Sequence, residues 1–323
     1  MKKLYILPTI SLALCLITAA KTSLGSSAAA PPALIRPILI ISGGALTAAA
    51  EDPPAEDIQM PSAQAQTSGE PLVRGKIDEP VFERTAAVVP ADELKISNLA
   101  KVDVSVPELL SLPDEQRGGT VLILHTHGCE SYTPTKQYNY KPSKDFRTTD
   151  KDFNVVRIGN EIEKALTERG IKVIHDTTLC DEPSFNDSYN VSLAVAKRYL
   201  KENPDIKVIL DVHRDSIEDE NGKPVKTVGA KDTSQLMFVI GTDASGLDHP
   251  LWRQNLAFAL RLQQRIQSKY PDMMRPVNLR KNRFNQQVSP GSIIVEVGTD
   301  ANTLEEALNA ARIFGEELGE YLS

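Results

Sequence analysis

The feature of this sequence that most constrains its fold is a regular alternation of short apolar runs with longer segments of helical periodicity. The apolar runs lie at residues 120–124, 171–174, 206–212, 236–240 and 293–297. The helical segments lie at residues 153–169, 188–202, 250–270 and 303–322. Continuously apolar strands are typical of a sheet that helices cover on both faces. The pattern therefore predicts an α/β domain built on a single sheet of about five or six strands, with helices on both faces.

The N-terminal segment has the composition of an export signal. Two lysines, Lys2 and Lys3, precede an apolar run from Leu4 to Ala20. We therefore expect residues 1–30 to be a signal peptide or a membrane anchor. Either alternative would place the rest of the chain outside the cytoplasm, and the composition leaves open whether the signal is cleaved.

A second low-charge stretch and a polar linker follow. Residues 33–50 are apolar, but they are interrupted by Arg36 and are marginal in length for a membrane span of about 20 residues. Residues 51–93 are rich in Pro, Ala, Glu, Asp, Ser and Gln and show no sustained periodicity. The sequence thus predicts a linker region over residues 31–95 and a catalytic domain over residues 96–323.

Charge and cysteine content exclude two classes of protein. The chain has 36 Lys and Arg against 43 Asp and Glu, a formal net charge of −7, so it lacks the basic excess of a nucleic-acid-binding protein. Its three cysteines include no Cys-X-X-Cys pair. This number is too small for a disulfide-rich scaffold, and the spacing is not that of a structural zinc site.

Histidines and a glutamate lie where the predicted strands end. His125 and His127 follow the first strand, His213 ends the third, and Glu296 lies in the last. Ligand sites in open α/β sheets form beyond the carboxyl ends of the strands. Two histidines and one carboxylate are the ligands of a catalytic zinc ion that keeps a position for water. Glu296 is then available to carry a proton, with Asp211 and Asp215 expected to orient His213.

Four ordered motifs carry a family resemblance that covers roughly residues 96–323. They are His-Thr-His-Gly-Cys-Glu-Ser-Tyr-Thr-Pro at 125–134, Asp-Val-His-Arg-Asp-Ser-Ile at 211–217, Arg-Phe-Asn-Gln-Gln-Val-Ser-Pro-Gly at 283–291 and Val-Glu-Val-Gly-Thr-Asp-Ala-Asn-Thr-Leu-Glu-Glu-Ala at 295–307. Together they resemble the stage II sporulation protein P family. That family is related to the zinc-dependent N-acetylmuramoyl-L-alanine amidases, so the resemblance implies an amidase-like α/β fold.

The resemblance assigns roles within the site. It implies that His127 and His213 bind Zn²⁺ and that Glu296 is the catalytic carboxylate. For the third ligand we prefer Glu130, which matches the family's first motif, while Asp150 and Asp152 are the alternatives at the start of the first long helix.

The resemblance also implies a substrate and partners. The bond cleaved would be the amide between N-acetylmuramic acid and L-alanine in peptidoglycan, with peptide cross-links as a further target. Arg214, Arg280 and Arg283 are candidates to bind the carboxylates of the stem peptide. The family acts in engulfment during sporulation, beside stage II sporulation proteins D and M, and we expect this chain to reach the membrane through its N-terminus.

Two alternatives to this function are kept. The domain could be another extracytoplasmic zinc hydrolase, acting on a different amide or ester. It could also be a catalytically silent module that binds the cell wall or serves as an adaptor. Zinc content and the products released from purified sacculi distinguish these alternatives.

Overall fold

The structure is a computed structural model that describes residues 88–323. The predictions for residues 1–30 and for most of residues 31–95 therefore lie outside the described residues. Within residues 88–323, no helix is both long enough and apolar enough to cross a membrane.

Seven strands and five α-helices follow one another along the described chain. The strands are β1 (Ile96–Asn98), β2 (Thr120–Leu124), β3 (Val173–His175), β4 (Ile206–Asp215), β5 (Leu236–Gly241), β6 (Val277–Arg280) and β7 (Ser292–Thr299). The helices are α1 (Val106–Leu110), α2 (Val155–Glu168), α3 (Ser188–Glu202), α4 (Trp252–Lys269) and α5 (Leu304–Leu322). The predicted strands and helices are all present, and their bounds shift by a few residues.

All seven strands form a single sheet in the order β1-β6-β5-β7-β4-β2-β3. Strands β7, β4, β2 and β3 are parallel to one another. Strand β5 pairs antiparallel with β7, and β6 and β1 follow the direction of β5. The single sheet confirms the predicted architecture. The prediction of about five or six strands was too low, because β1 and β6 are only three and four residues long and carry no continuous apolar run.

Helices cover both faces of the sheet, as predicted. Val121 and Ile123 of β2 belong to the large core formed with α1, α2, α4 and α5, whereas Leu122 and Leu124 pack with Ala196 of α3 on the other face. Side chains alternate between the two faces of a strand, so β2 is apolar throughout because both of its faces are buried. Each such fully buried aliphatic side chain contributes roughly 1.5–3 kcal/mol relative to exposure.

The described fold begins before the predicted domain boundary. Leu94 is buried against the main core, and the backbone N–H of Val89 donates to Ser268 Oγ of α4 at 2.9 Å. Residues 88–95, which the composition placed in the linker, thus pack against the domain.

Strand order places three strand ends side by side. β7, β4 and β2 are consecutive and parallel in the sheet, so their carboxyl ends lie along one edge, which we call the site edge. Strands β5 and β6 run in the opposite direction, so their carboxyl ends lie at the opposite edge. This difference in direction decides which predicted side chains can meet.

Candidate metal centre

Three side chains at the site edge form a cluster that could hold a metal ion. They are His127 and Glu130, from the loop after β2, and His213 of β4, and their potential ligand atoms all lie within 4.8 Å of one another. Glu130 Oε1 is 3.4 Å from His127 Nδ1, and Glu130 Oε2 is 3.3 Å from His213 Nδ1. Two imidazole nitrogens and one carboxylate are a donor set that suits zinc.

Backbone geometry holds the cluster together. The N–H of Glu130 donates to the carbonyl of His127 at 3.1 Å, a tight turn that brings both side chains to the same place. The N–H of Arg214 donates to Glu130 Oε2 at 3.1 Å, which ties the loop to β4. Glu130 and His213 are far apart in sequence, and the pairing of β2 with β4 together with this hydrogen bond brings them close in space.

Asp211 lies beside His213 and is held by Thr126; that it orients the imidazole stays a prediction. One carboxylate oxygen accepts from the N–H of Thr126 at 2.8 Å, and the other accepts from its hydroxyl at 2.5 Å. The same carboxylate lies 3.0 Å from His213 Nε2. This second ring nitrogen has no hydrogen-bond partner among the described residues, while Nδ1 of His213 faces Glu130.

The charges of the cluster depend on one another. Burial alone would lower the pKa of His213, but the carboxylates of Asp211 and Glu130 raise it well above its ordinary value. Burial would likewise raise the pKa of Glu130, but His213, together with His127 and Arg214, holds it below its usual range. The ionised carboxylates of Glu130 and Asp211 thus balance the positive charge of protonated His213, and a metal cation bound there would replace that proton.

Glu296 lies beside this cluster with a different electrostatic character. Glu296 of β7 lies directly opposite His213 of β4 in the sheet, so the two side chains are neighbours on one face. Burial, reinforced by the negative charges of Glu130 and Asp215, raises the pKa of Glu296 to about 8. Its Oε2 atom is buried and has no hydrogen-bond partner within the described part of the chain. A carboxyl group with a pKa near neutrality is suited to take up and release a proton.

The alternatives for the third ligand lie elsewhere. Asp150 and Asp152 are both exposed, and Asp150 Oδ1 accepts a hydrogen bond from the backbone N–H of Asp152 at 3.1 Å. Neither belongs to the cluster of His127 and His213, so the geometry favours Glu130.

Arg214 makes its hydrogen bonds within the fold. The side chain is only 7% exposed. Its guanidinium donates to backbone carbonyls of four residues: Ser131, Asp145, Phe146 and Asp215. These donors tie the loop after β2 to β4, and the expected role in binding a substrate carboxylate stays a prediction.

Arg280 and Arg283 do not meet the cluster. Arg280 ends β6 and is exposed, and β6 runs antiparallel to β7, so its carboxyl end lies at the edge opposite to the site. Arg283 donates to the carbonyl of Asp248 at 3.2 Å, in the loop that leaves that same edge. Their position at this edge follows from the reversed direction of β5 and β6, and their contact with substrate stays a prediction.

Two aromatic residues that the sequence did not single out flank the cluster. Phe185 stacks on the ring of His127 with centroids 4.6 Å apart, and Tyr189 meets the same ring edge-on at 5.6 Å. Phe185 lies in the short 3-10 turn that precedes α3, and Tyr189 lies in the first turn of α3. Their spacing was the only signal in the sequence, and it is common in helices that have no functional site.

The remaining histidines of the strand ends form a second buried pair. His125 Nε2 lies 2.9 Å from His175 Nε2, and His125 Nδ1 contacts the carbonyl of Val212, the residue before His213. His175 Nδ1 lies 3.2 Å from Glu163 Oε2. Burial lowers the pKa of His125 to about 3, so its imidazole is neutral. This pair supports the backbone of β4 and lies outside the metal-binding cluster.

Replacing Gly159 of α2 with alanine is expected to disrupt the packing of α2 against this histidine pair and so to destabilise the fold. A β-carbon there would lie 2.5 Å from His175 Nε2 and 2.8 Å from His125 Nε2. Alanine gains about 1 kcal/mol over glycine inside a helix, but forcing a buried contact costs about 1–3 kcal/mol, and here two hydrogen-bonded rings must move. We expect Gly159→Ala to lower the free energy of unfolding by about 1–2 kcal/mol in urea titrations.

The control is the adjacent Asn160→Ala, at an exposed position of the same helix. It is expected to be neutral or slightly stabilising, because only helix propensity changes. Equal stability of Gly159→Ala and wild type would contradict the close packing against the histidine pair.

Two of the solved structures to which the chain is similar are amidases. The chain is 14% identical to an N-acetylmuramyl-L-alanine amidase from Mycobacterium smegmatis, with a TM-score of 0.41 over 65% of this chain and 99% of that one. It is 16% identical to the catalytic domain of an N-acetylmuramoyl-L-alanine amidase from Bacillus (Paenibacillus) polymyxa var. colistinus, with a TM-score of 0.33 over 63% of this chain and 98% of that one.

Sequence comparison gives the family. The chain is 26% identical over 237 residues to Stage II sporulation protein P of Bacillus subtilis (strain 168), which covers 68% of this chain. The match spans 57% of the length of that relative. The profile of the family described as Stage II sporulation protein P matches residues 48–319, which is most of the sequence. This chain therefore belongs to the stage II sporulation protein P family.

Proposed function

We propose that this protein is a zinc-dependent peptidoglycan hydrolase that cleaves the amide between N-acetylmuramic acid and L-alanine, and that it acts in engulfment during sporulation. The observation that carries the proposal is the cluster of His127, Glu130 and His213 beside the buried, unpaired carboxyl of Glu296. Membership in the stage II sporulation protein P family supports the biological setting.

The donor atoms of the cluster would hold the metal. His127 Nδ1, a Glu130 carboxylate oxygen and His213 Nδ1 are the atoms that face one another. Zinc, when bound, supplies Lewis-acid activation of the amide carbonyl and of the attacking water. The carboxylate of Asp211, 3.0 Å from His213 Nε2, would favour the tautomer whose Nδ1 is free to bind a cation.

Glu296 would move the proton. Its Oε2 atom is free to accept the proton of the attacking water and to return it to the nitrogen of the leaving amine. Tyr132 donates its hydroxyl to the carbonyl of Val297 at 2.9 Å, which ties the loop after β2 to the strand that carries Glu296. The proton carrier and the metal donors are thus held at a fixed separation.

The same chemistry applies to a peptide cross-link, so endopeptidase activity is the second candidate. A catalytically silent wall-binding or adaptor module is less well supported. Such a module would have no use for a buried carboxyl whose pKa is raised to about 8 beside three metal donors. Another extracytoplasmic zinc hydrolase would share the metal site and differ in substrate.

Products released from purified sacculi test the proposal. The zinc-loaded protein is expected to release stem peptides that begin with L-alanine and to leave the glycan strands intact. Opening of cross-links with the stem peptides still attached would indicate an endopeptidase. Absence of any cleavage, with zinc bound, would leave the adaptor alternative and contradict the proposed hydrolase.

Attachment to the membrane through the N-terminus, an extracytoplasmic location and contacts with stage II sporulation proteins D and M stay predictions. The segments that carry the first two lie outside the described residues.

A further inference from the structure

An arginine that the sequence did not single out lies at the site edge. Arg275 is in the loop before β6, and its backbone N–H donates to the carbonyl of Leu236 at 2.8 Å. Leu236 and the residue after it pair with Val297 and Glu296 of β7. Because β5 is antiparallel to β7, the loop before β6 arrives at the same edge as the carboxyl end of β7.

The side chain of Arg275 contacts β4, the strand that carries His213. Its Nη1 lies 2.6 Å from Asp215 Oδ2, at the end of β4. Asp215 follows His213 by two residues, a distance of about 6.6 Å along a strand. In the pairing of β4 with β7, His213 lies opposite Glu296 and Asp215 lies opposite Thr299, so Asp215 is at the end of β4 next to these residues.

Part of the guanidinium remains available. Arg275 is 23% exposed, and its Nε and Nη2 atoms make no hydrogen bond to any residue in the described part of the chain. The guanidinium presents five N–H donors in a plane, so one carboxylate can hold Nη1 while a second binds the other donors. Asp215 therefore orients Arg275 and leaves its other N–H donors available. Arg214, in contrast, is buried, and its donors are used by backbone carbonyls.

We propose that Arg275 binds the first free carboxylate of the stem peptide, the α-carboxylate of the glutamate that follows L-alanine. This inference rests on the proposed amidase function. From the nitrogen of the scissile amide to that carboxylate the peptide spans about 6 Å when extended, because consecutive Cα atoms are about 3.8 Å apart. This span matches the rise along β4 from His213 to Asp215, the partner of Arg275.

The interaction would make the enzyme prefer a stem peptide whose second residue has a free, charged carboxylate over one in which that group is an amide. A carboxylate accepts charge-assisted hydrogen bonds from a guanidinium, whereas an amide at the same position loses the charge attraction. The alternative is that the ion pair of Arg275 with Asp215 only stabilises the fold. A purely structural pair would affect all substrates alike, so the two possibilities are separable.

The experiment compares two glycan strands that are identical except at the second residue of the stem peptide, which is D-glutamate in one and D-isoglutamine in the other. The zinc-loaded full chain is assayed as wild type, Arg275→Ala, Arg275→Lys and Arg280→Ala, with kcat/KM measured for each. Arg280 is the control, because it is an exposed arginine at the opposite edge of the sheet. Zinc content and the unfolding temperature are measured for every variant.

Wild type is expected to cleave the D-glutamate strand about tenfold better than the D-isoglutamine strand, and Arg275→Ala to abolish that preference by losing activity on the first strand alone. Arg275→Lys should keep part of the preference, and Arg280→Ala all of it. Should Arg275→Ala fail to fold, the comparison of wild type with Arg275→Lys decides, because lysine keeps the charge but loses the planar fork.

Two outcomes would overturn the inference. Equal cleavage of both strands by wild type, or an equal loss of activity on both strands in Arg275→Ala, would show that Arg275 does not bind this carboxylate. The proposed amidase function would stand in either case. Cleavage of neither strand by wild type would instead remove the proposed function and this inference with it.

Discussion

Replacing Glu296 with glutamine is expected to reduce kcat for amide hydrolysis by about 10³-fold while zinc remains bound. Glutamine has the shape of the protonated carboxyl but cannot accept a proton from the attacking water. The metal donors His127, Glu130 and His213 do not include Glu296, so their geometry is left intact. Activity is measured by release of stem peptides from sacculi and zinc by elemental analysis of the same sample.

The stability of this variant provides an independent readout. Glu296 has a folded-state pKa of about 8, above its ordinary value of 4.5, so between these values the folded protein binds more protons than the unfolded chain. The metal-free wild type should accordingly lose stability as pH rises from 4.5 to 8, by up to about 5 kcal/mol from this group. Glu296→Gln should lose less, because within the cluster only the raised pKa of His213 then contributes in this range. Wall cleavage at the wild-type rate by zinc-loaded Glu296→Gln would rule out the proposed proton carrier.

Replacing Glu130 with alanine is expected to weaken zinc binding by at least about 100-fold, with loss of activity at limiting zinc. The carboxylate of Glu130 bridges the two histidines, at 3.4 Å from His127 and 3.3 Å from His213. Without it, two imidazoles remain as donors and the negative charge that favours a cation is reduced. Competition with a chromophoric chelator at fixed pH measures the affinity.

Asp150→Asn and Asp152→Asn are the matched controls, because the sequence left these two carboxylates as alternatives for the third ligand. Both are exposed and lie outside the cluster, so their replacement should leave zinc affinity within about twofold of wild type. If either of them lost zinc while Glu130→Ala kept it, the assignment of Glu130 would be wrong.

Much of the fold and the candidate metal-binding cluster could be predicted from the sequence, because both depend on local patterns. The apolar run at 120–124 and the helical spacing of α2 predict buried elements, and the strand-end positions of His127 and His213 follow from them. Glu296 is conspicuous in an apolar strand because burying a carboxylate is costly. These signals do not depend on how distant strands pair.

The arginines show what local patterns could not predict. The direction of β6 depends on its pairing with β5, which is a long-range contact, and the sequence alone gave no sign that β5 reverses relative to β7. Arg280 was therefore expected at the site and lies at the opposite edge. Arg214 follows His213 directly, and its spacing does not distinguish a substrate ligand from an anchor for backbone carbonyls.

The reversal of strand direction between β7 and β5 separates the proposed hydrolytic residues from the loop proposed to select the substrate. In many enzymes one set of loops carries both. The metal donors and the proton carrier all come from the parallel half of the sheet, on β4, β7 and the loop after β2. The loop before β6 comes from the other half and supplies none of these groups. If the proposed roles hold, substitutions at residues 271–276 could change the preference for one stem peptide over another without changing the proposed metal donors or Glu296.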